Sequence, residues 1–117
     1  MDSGARSGPA PVVVPFPEEI DVTNAEHVGA EFSTAFGPDA TVVIADLTRT
    51  LFCDSAGVRC LLQAGSRAAQ AGAEFRLAAG SAAVLRLLQL TGIDRRFTIY
   101  PDLETAVAGG QSIRPDN

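Results

Sequence analysis

An unbroken apolar run from Val42 to Ala45 sets the first limit on how this chain folds. The wider segment, residues 41–47, is rich in β-branched residues and lacks polar alternation, which is typical of a strand covered on both faces. We therefore expect it to be the central strand of a sheet. Pro15 and Pro17 lack backbone donors, so they should confine the strand that begins at Val12 to a sheet edge or bend it. Shorter strand-like runs occur at residues 12–14, 75–79 and 97–100.

Segments with helical periodicity separate these strands. Thr23 and Glu26 have the spacing of a capping box, which predicts that the first helix opens at Thr23 and ends near Gly37. Strands that alternate with single helices imply right-handed crossovers. The predicted fold class is therefore α/β, with a mostly parallel or mixed sheet of about four strands and about four helices. Further helices are expected to begin after Asp54, Ser81 and Asp102.

A length of 117 residues suits one domain with a single core. Residues 1–10 and 109–117 carry too little apolar surface to order themselves, so flexible tails and a folded domain at 11–108 are predicted. The formal charge of −5 and the absence of a Lys or Arg cluster argue against binding to nucleic acid. No apolar run is long enough to span a membrane and no secretory signal is visible, so a cytoplasmic location is expected.

Two cysteines, Cys53 and Cys60, and one histidine, His27, provide neither a disulfide framework nor a set of metal ligands. Structural thiols in a reducing compartment are the expected role of the cysteines. Asp54 has no histidine or second carboxylate nearby in the sequence to complete an acid–base pair. Neither a catalytic residue nor a metal or cofactor is therefore predicted.

A tight turn from Asp54 to Gly57 joins the apolar element Leu51–Cys53 to the second helix. The position of Ser55 predicts that it is the helix N-cap, where its hydroxyl accepts a hydrogen bond from a free amide of the first turn. The same free amides and the positive end of the helix dipole also favour a phosphate. Spacing alone favours capping, and the two roles are compatible.

The sequence DLTRTLFCDSAGVRCLL, residues 46–62, resembles the signature of the STAS family, which comprises bacterial anti-sigma factor antagonists and related domains of sulfate transporters. Residues 19–21 are similar to the Gly-Glu-aliphatic-Asp stretch of that family, with Glu18 in place of the glycine. Residues 87–106 resemble its last third. The similarities cover about residues 12–108 and imply a single STAS domain.

The resemblance also implies a function, that of an anti-sigma factor antagonist. Such a protein binds an anti-sigma factor that has an ATP-binding kinase fold, and the sigma factor is released. The kinase would phosphorylate the serine after the Asp, here Ser55, which would block rebinding, and a metal-dependent serine phosphatase would reverse the change. A phosphate adds a charge of about −1.5 to −2 beside Asp54, so like-charge repulsion should weaken rebinding.

The surface that binds the partner is predicted around this turn. By resemblance, the loop with Glu19 and Asp21 lies beside the Ser55 loop, although on physics alone these charges could simply compensate the helix dipole. Arg59, one turn into the helix, is at a position where a charge is ordinarily only solvated, but it is also placed to meet a phosphate or a partner carboxylate. The full predicted set is Glu19, Asp21, Thr23, Asp54, Ser55, Ala56, Gly57 and Arg59.

Two other interpretations remain open. The chain could be a constitutive STAS-like subunit of a transport or stress-signalling assembly, in which case changes at Ser55 would leave the complex intact. It could also be a small thiol enzyme that uses Cys53 or Cys60. Reactive thiols need an exposed, electropositive setting, and both cysteines lie in apolar surroundings in the sequence, which makes the enzyme the weakest hypothesis.

Overall fold

The computed structural model describes residues 10–113. This part of the chain confirms the α/β class and contains six strands and five helices, one more helix than expected. The additional helix, α4, has only four residues, which is too short to show helical periodicity in a sequence. The elements are β1 (Val12–Pro15), β2 (Glu19–Ile20), α1 (Ala25–Ala35), β3 (Val42–Asp46), β4 (Phe52–Cys53), α2 (Ser55–Gln70), β5 (Glu74–Ala78), α3 (Ala82–Leu90), α4 (Ile93–Arg96), β6 (Thr98–Tyr100) and α5 (Leu103–Ala108).

The main sheet has the strand order β1-β3-β5-β6, and all neighbouring strands are parallel. β3 lies between β1 and β5, with Val43 opposite Phe75 and Ala45 opposite Leu77. The predicted central strand is thereby confirmed. β1, which ends at Pro15, is an edge strand, where a residue without an N–H group interrupts no ladder between two neighbours.

Helices cover the two faces of the sheet unequally. On one face, α1, α2 and α3 pack over a large cluster in which Phe32 and Leu61 have no exposed surface. The ring of Phe32 meets that of Phe75 edge-on, with centroids 5.7 Å apart. On the other face, Ile44 packs against Ala106 of α5. Burial of each large apolar side chain stabilises the fold by about 1.5–3 kcal/mol, so these clusters fix the positions of the helices.

A second sheet, a ribbon of two short strands, was not predicted. β2 and β4 pair in parallel, with Glu19 opposite Phe52 and Ile20 opposite Cys53. Two-residue strands are too short for alternation to indicate them in a sequence. The ribbon brings the segment before α1 beside the segment before α2.

Residues 109–113 were expected to belong to a C-terminal tail, yet they contact the sheet. The backbone N–H of Ile113 donates to the carbonyl oxygen of Ile99 at 2.7 Å, and its side chain packs against the core. Ordered contacts therefore extend beyond the predicted domain end at residue 108. The tails predicted for residues 1–10 and 109–117 otherwise lie outside the described residues, apart from Ala10.

Candidate functional site

The candidate site lies where the ribbon meets the N-terminus of α2. β4 ends at Cys53 and α2 begins at Ser55, so Asp54 is the only residue between them. The backbone N–H of Asp54 donates to the carbonyl oxygen of Ile20 at 3.1 Å, which ties the start of α2 to the end of β2. The loop that follows β2 therefore lies beside the Ser55 loop, as the resemblance implied.

Asp54, not Ser55, is the N-cap of α2. Its Oδ1 atom accepts the N–H of Ala56 at 2.9 Å and the N–H of Gly57 at 3.2 Å. A carboxylate is a stronger acceptor than a hydroxyl here because its charge also interacts with the positive end of the helix dipole. The prediction that Ser55 caps the helix is therefore wrong, whereas the predicted start of a helix directly after Asp54 is confirmed.

Ser55 is exposed at the first position of α2. Its hydroxyl makes no hydrogen bond to any described residue. The amides of Ala56 and Gly57 are already bonded to Asp54, so a group attached to the Ser55 hydroxyl would find these two donors occupied. The hydroxyl is thus accessible to an enzyme without any opening of the helix.

The loop after β2 has its own hydrogen bonds. The Oδ1 atom of Asp21 accepts the backbone N–H of Thr23 at 2.9 Å and also the Thr23 hydroxyl. The bond from this hydroxyl is the main reason why the pKa of Asp21 lies below its usual range. The predicted capping box is wrong, because the Thr23 hydroxyl bonds to Asp21 rather than to α1, which begins at Ala25.

The side chain of Asn24 stabilises this loop through two hydrogen bonds to its backbone. Its Oδ1 atom accepts the N–H of Asp21 at 2.9 Å, and its Nδ2 atom donates to the carbonyl oxygen of Glu19 at 2.8 Å. Glu19 is exposed and Asp21 is half-buried. The term acidic loop is used below for Glu18, Glu19 and Asp21, which together place negative charge next to the Ser55 loop.

Gly57 is buried, although it belongs to the predicted set for partner binding. A Cβ atom at this position would lie 2.4 Å from the Sγ atom of Cys53 and 3.0 Å from the carbonyl oxygen of Ile20. The position therefore requires a residue without a side chain, so that α2 can approach the ribbon closely. Gly57 therefore contributes to the site by allowing the close packing of α2 on the ribbon and not by direct contact with a partner.

Arg59 is exposed on α2, and Ala56 is half-buried. Both line a groove between the first turns of α1 and α2, together with Val22, which is 77% exposed. Ser55 and Arg59 have the four-residue spacing at which side chains on a helix surface are neighbours. One end of the molecule therefore gathers the eight predicted residues, and all but the buried Gly57 are exposed or half-buried there, namely Glu19, Asp21, Thr23, Asp54, Ser55, Ala56 and Arg59.

An apolar flank, defined here as Leu51, Phe52 and Leu90, adjoins this end of the molecule. The three side chains are 63%, 52% and 73% exposed. They line one groove with Leu87 and Arg86 of α3. The sequence shows Leu51 and Phe52 as part of a short apolar element, but it does not show that one face of that element remains uncovered. Exposed apolar clusters of this kind mark interaction surfaces.

Both cysteines are free and buried. Burial is the main cause that raises the pKa of Cys53 to about 11, followed by the charge of Asp54, and burial also raises the pKa of Cys60. The thiolate is the reactive form of cysteine, and it is scarce at neutral pH when the pKa is raised. These properties weigh against the thiol enzyme.

Within residues 10–113, no group of three or more His, Cys, Asp or Glu side chains is arranged to hold a metal ion. In the same part of the chain, no helix is long and apolar enough to cross a membrane.

Comparison with known proteins identifies the family. A family model described as STAS domain matches residues 5–106. The fold is similar to that of an anti-sigma factor antagonist from Mycobacterium paratuberculosis, with 25% sequence identity, a TM-score of 0.77 and coverage of 86% of this chain and 85% of that one. It is also similar to an anti-sigma-factor antagonist (STAS) domain protein from Planctomyces limnophilus, with 24% identity, a TM-score of 0.72 and coverage of 83% and 87%.

A sulfate transporter family protein from Wolinella succinogenes has the same fold, with 16% identity, a TM-score of 0.75 and coverage of 93% of this chain and 94% of that one. At this identity the likeness shows the fold alone. No curated protein matches the chain. The family match includes the ribbon, the Asp54–Ser55 turn and all of α2. The chain therefore belongs to the STAS domain family.

Proposed function

We propose that this chain is an anti-sigma factor antagonist that is turned off by phosphorylation of Ser55. Its partner is an anti-sigma factor with an ATP-binding kinase fold, which frees its sigma factor when the antagonist binds. The same kinase phosphorylates Ser55, and a metal-dependent serine phosphatase restores the binding form. The protein acts in the cytoplasm as a binding partner rather than as an enzyme.

The observation that carries this proposal is the position of the Ser55 hydroxyl. It is exposed at the first residue of α2 and makes no hydrogen bond to a described residue. A kinase needs a hydroxyl that it can reach without unfolding its substrate. Glu19 of the acidic loop pairs with Phe52 of the apolar flank in the ribbon that leads to Ser55, so charged and apolar residues both lie near the modified position.

The charges near Ser55 support inhibition by a phosphate. Asp54 occupies the amides of Ala56 and Gly57, so these two donors are not available to neutralise a second anion. A phosphate therefore adds about −1.5 to −2 charge to a surface that already carries Asp54 and the acidic loop. A partner surface that complements the unmodified site would meet excess negative charge, and the complex would weaken by repulsion without a change in fold.

The related structures add support of different strength. The protein from Mycobacterium paratuberculosis is described as an anti-sigma factor antagonist and is 25% identical to this chain. The likeness to the Wolinella succinogenes protein concerns the fold alone, so a constitutive subunit of a transport or stress-signalling assembly remains the alternative hypothesis. The two functions differ in whether a change at Ser55 affects the complex.

The proposal is tested by capturing bound proteins from the native cells with tagged wild type, Ser55→Ala and Ser55→Asp. Mass spectrometry identifies the captured proteins and the modification state of residue 55. We expect an anti-sigma factor of the kinase class with wild type and Ser55→Ala, little of it with Ser55→Asp, and phosphate on Ser55 of the wild type. A complex that contains transport proteins and is equal for all three chains would support the alternative.

A further inference from the structure

Thr50, in the loop between β3 and β4, has an unusual environment for a polar residue. Its side chain has no exposed surface, and it is the only buried polar or charged residue within residues 10–113. Its hydroxyl donates to the carbonyl oxygen of Pro17 at 2.7 Å, across 33 positions of the chain. A buried hydroxyl that is aimed at one distant carbonyl group fixes the distance between two loops.

The hydrogen bond between Thr50 and Pro17 directly precedes, along both segments, the backbone hydrogen bonds that pair β2 with β4. The N–H of Leu51 donates to the carbonyl oxygen of Glu18 at 2.7 Å, and the pairing of β2 with β4 follows. The last bond of the series runs from the N–H of Asp54 to Ile20 and reaches the cap of α2. The series therefore connects Thr50 with the residue that precedes Ser55.

Pro17 can bond to the neighbouring loop only through its carbonyl oxygen. The N–H of Phe16 donates to the carbonyl oxygen of Asp46 at 2.9 Å as the chain leaves β1. Pro17 has no N–H group, so its own backbone cannot donate a further bond to the neighbouring loop. The Thr50 hydroxyl provides the connection between these loops through the Pro17 carbonyl group.

We infer that Thr50 is a positioning residue, which sets the register of β2 on β4 and thereby places the acidic loop beside Ser55. A ribbon of two residues per strand has little stability of its own. A slip of one residue would exchange the inward and outward side chains of β2, so Glu19 would turn inward and Ile20 outward. This inference concerns geometry, and its effect on partner binding rests on the proposed function.

Two substitutions separate the hydroxyl from the volume of the side chain. Thr50→Val keeps the volume, removes the donor and breaks the hydrogen bond that the Pro17 carbonyl oxygen accepts. Thr50→Ser keeps the donor and removes one methyl group, which leaves a small cavity. If Thr50 only fills space, the ribbon should be destabilised more in Thr50→Ser than in Thr50→Val. If the hydroxyl positions the ribbon, the ribbon should be destabilised more in Thr50→Val.

Amide hydrogen exchange of the free, full-length chain tests the geometry without a partner. In Thr50→Val, exchange at Leu51 and Asp54 should become at least about tenfold faster relative to Leu47 and Ala79, whose N–H groups bond within the main sheet. In Thr50→Ser the same ratio should stay within about twofold of wild type. Unchanged exchange in the valine variant, or equal acceleration in both variants, would overturn the inference.

Affinity for the anti-sigma factor kinase of the same organism provides the second measurement, taken where each variant is fully folded. We expect Thr50→Val to bind about tenfold more weakly and Thr50→Ser to bind like wild type. Equal affinity of all three chains would contradict the positioning role. If wild type itself does not bind the kinase, the proposed function is contradicted, while the exchange ratios still decide the role of Thr50.

Discussion

The Asp54 carboxylate accepts the N–H of Ala56 at 2.9 Å, and the adjacent Ser55 hydroxyl takes no part in the helix cap. Two neighbouring residues therefore have separate roles. Asp54 stabilises the start of α2, while Ser55 presents a hydroxyl that can be changed at little cost to the fold. A regulatory modification at Ser55 can then act on binding alone.

The separation of these roles predicts the effect of two alanine substitutions on stability. Asp54→Ala should lower the free energy of unfolding by about 1 kcal/mol, since it removes the acceptor for two amides. Ser55→Ala should change it by less than about 0.5 kcal/mol, because no hydrogen bond is lost. Urea unfolding of both variants, with the cap variant Ser81→Ala as a reference, measures these values. A loss in Ser55→Ala as large as that in Asp54→Ala would show that the serine contributes to the cap.

The acidic loop should affect binding more than folding. Glu19→Gln combined with Asp21→Asn keeps the shape of both side chains and removes two charges, so affinity for the partner should fall about three- to tenfold. Glu104→Gln on α5, at an exposed position on the other face of the sheet, is the matched control and should bind like wild type. If the double variant binds as tightly as the control, the loop lies outside the interface.

The lowered pKa of Asp21 gives this loop a specific dependence on pH. The carboxylate form accepts the bonds from Thr23, so its stabilisation of the fold is present above the unfolded pKa of Asp and is lost as the pH falls through the lower, folded pKa. Wild type should therefore lose stability over this acidic interval, and Asp21→Asn should lose less. Urea unfolding between neutral and strongly acidic pH measures the difference. Parallel curves for the two chains would contradict the assignment.

The apolar flank should contribute to partner binding. Phe52→Ser or Leu90→Gln should weaken binding tenfold or more, because apolar residues at the centre of an interface often dominate its energy. Stability should change little, since both side chains are more than half exposed. Val107→Gln on α5 removes an exposed apolar side chain elsewhere and should leave affinity unchanged. Equal affinities for all these variants would remove the flank from the interface.

Arg59 should interact with a phosphate on Ser55. Arg59 lies four positions after the serine on the same helix, and its positive charge favours the dianionic phosphate, so it should lower the second pKa of phosphoserine, which is normally about 6. Titration by phosphorus NMR should show a higher pKa in Arg59→Gln than in wild type. Arg67→Gln, at an exposed position two turns further along α2, is the control. The same pKa in all three phosphoproteins would exclude this pair.

Much of the main sheet could be predicted from the sequence because a long strand or helix shows its hydrophobic pattern over many residues. The run at Val42–Ala45 and the proline residues near β1 correctly predicted the central and edge strands. The position of Ser55 at the start of α2 was predictable for the same reason, since a turn and a long amphipathic helix meet there.

The local details of the site depend on competition between acceptors and could not be predicted. Thr23 and Ser55 both occupy positions typical of helix caps, but neither hydroxyl caps its helix. The Thr23 hydroxyl donates to Asp21, and Asp54 accepts the amides of Ala56 and Gly57. The ribbon likewise depends on contacts between residues about 33 positions apart, which no local pattern reveals.

The most direct test of the account is the reaction of the purified chain with its anti-sigma factor kinase and ATP. Phosphate incorporation is measured for wild type and Ser55→Ala, and the affinity of each product for the kinase is then compared with that of the unreacted chain. The account predicts one phosphate on wild type at Ser55, none on Ser55→Ala, and an affinity at least about tenfold lower for the phosphorylated protein alone. Continued phosphorylation of Ser55→Ala, or unchanged affinity after phosphorylation of Ser55, would contradict it.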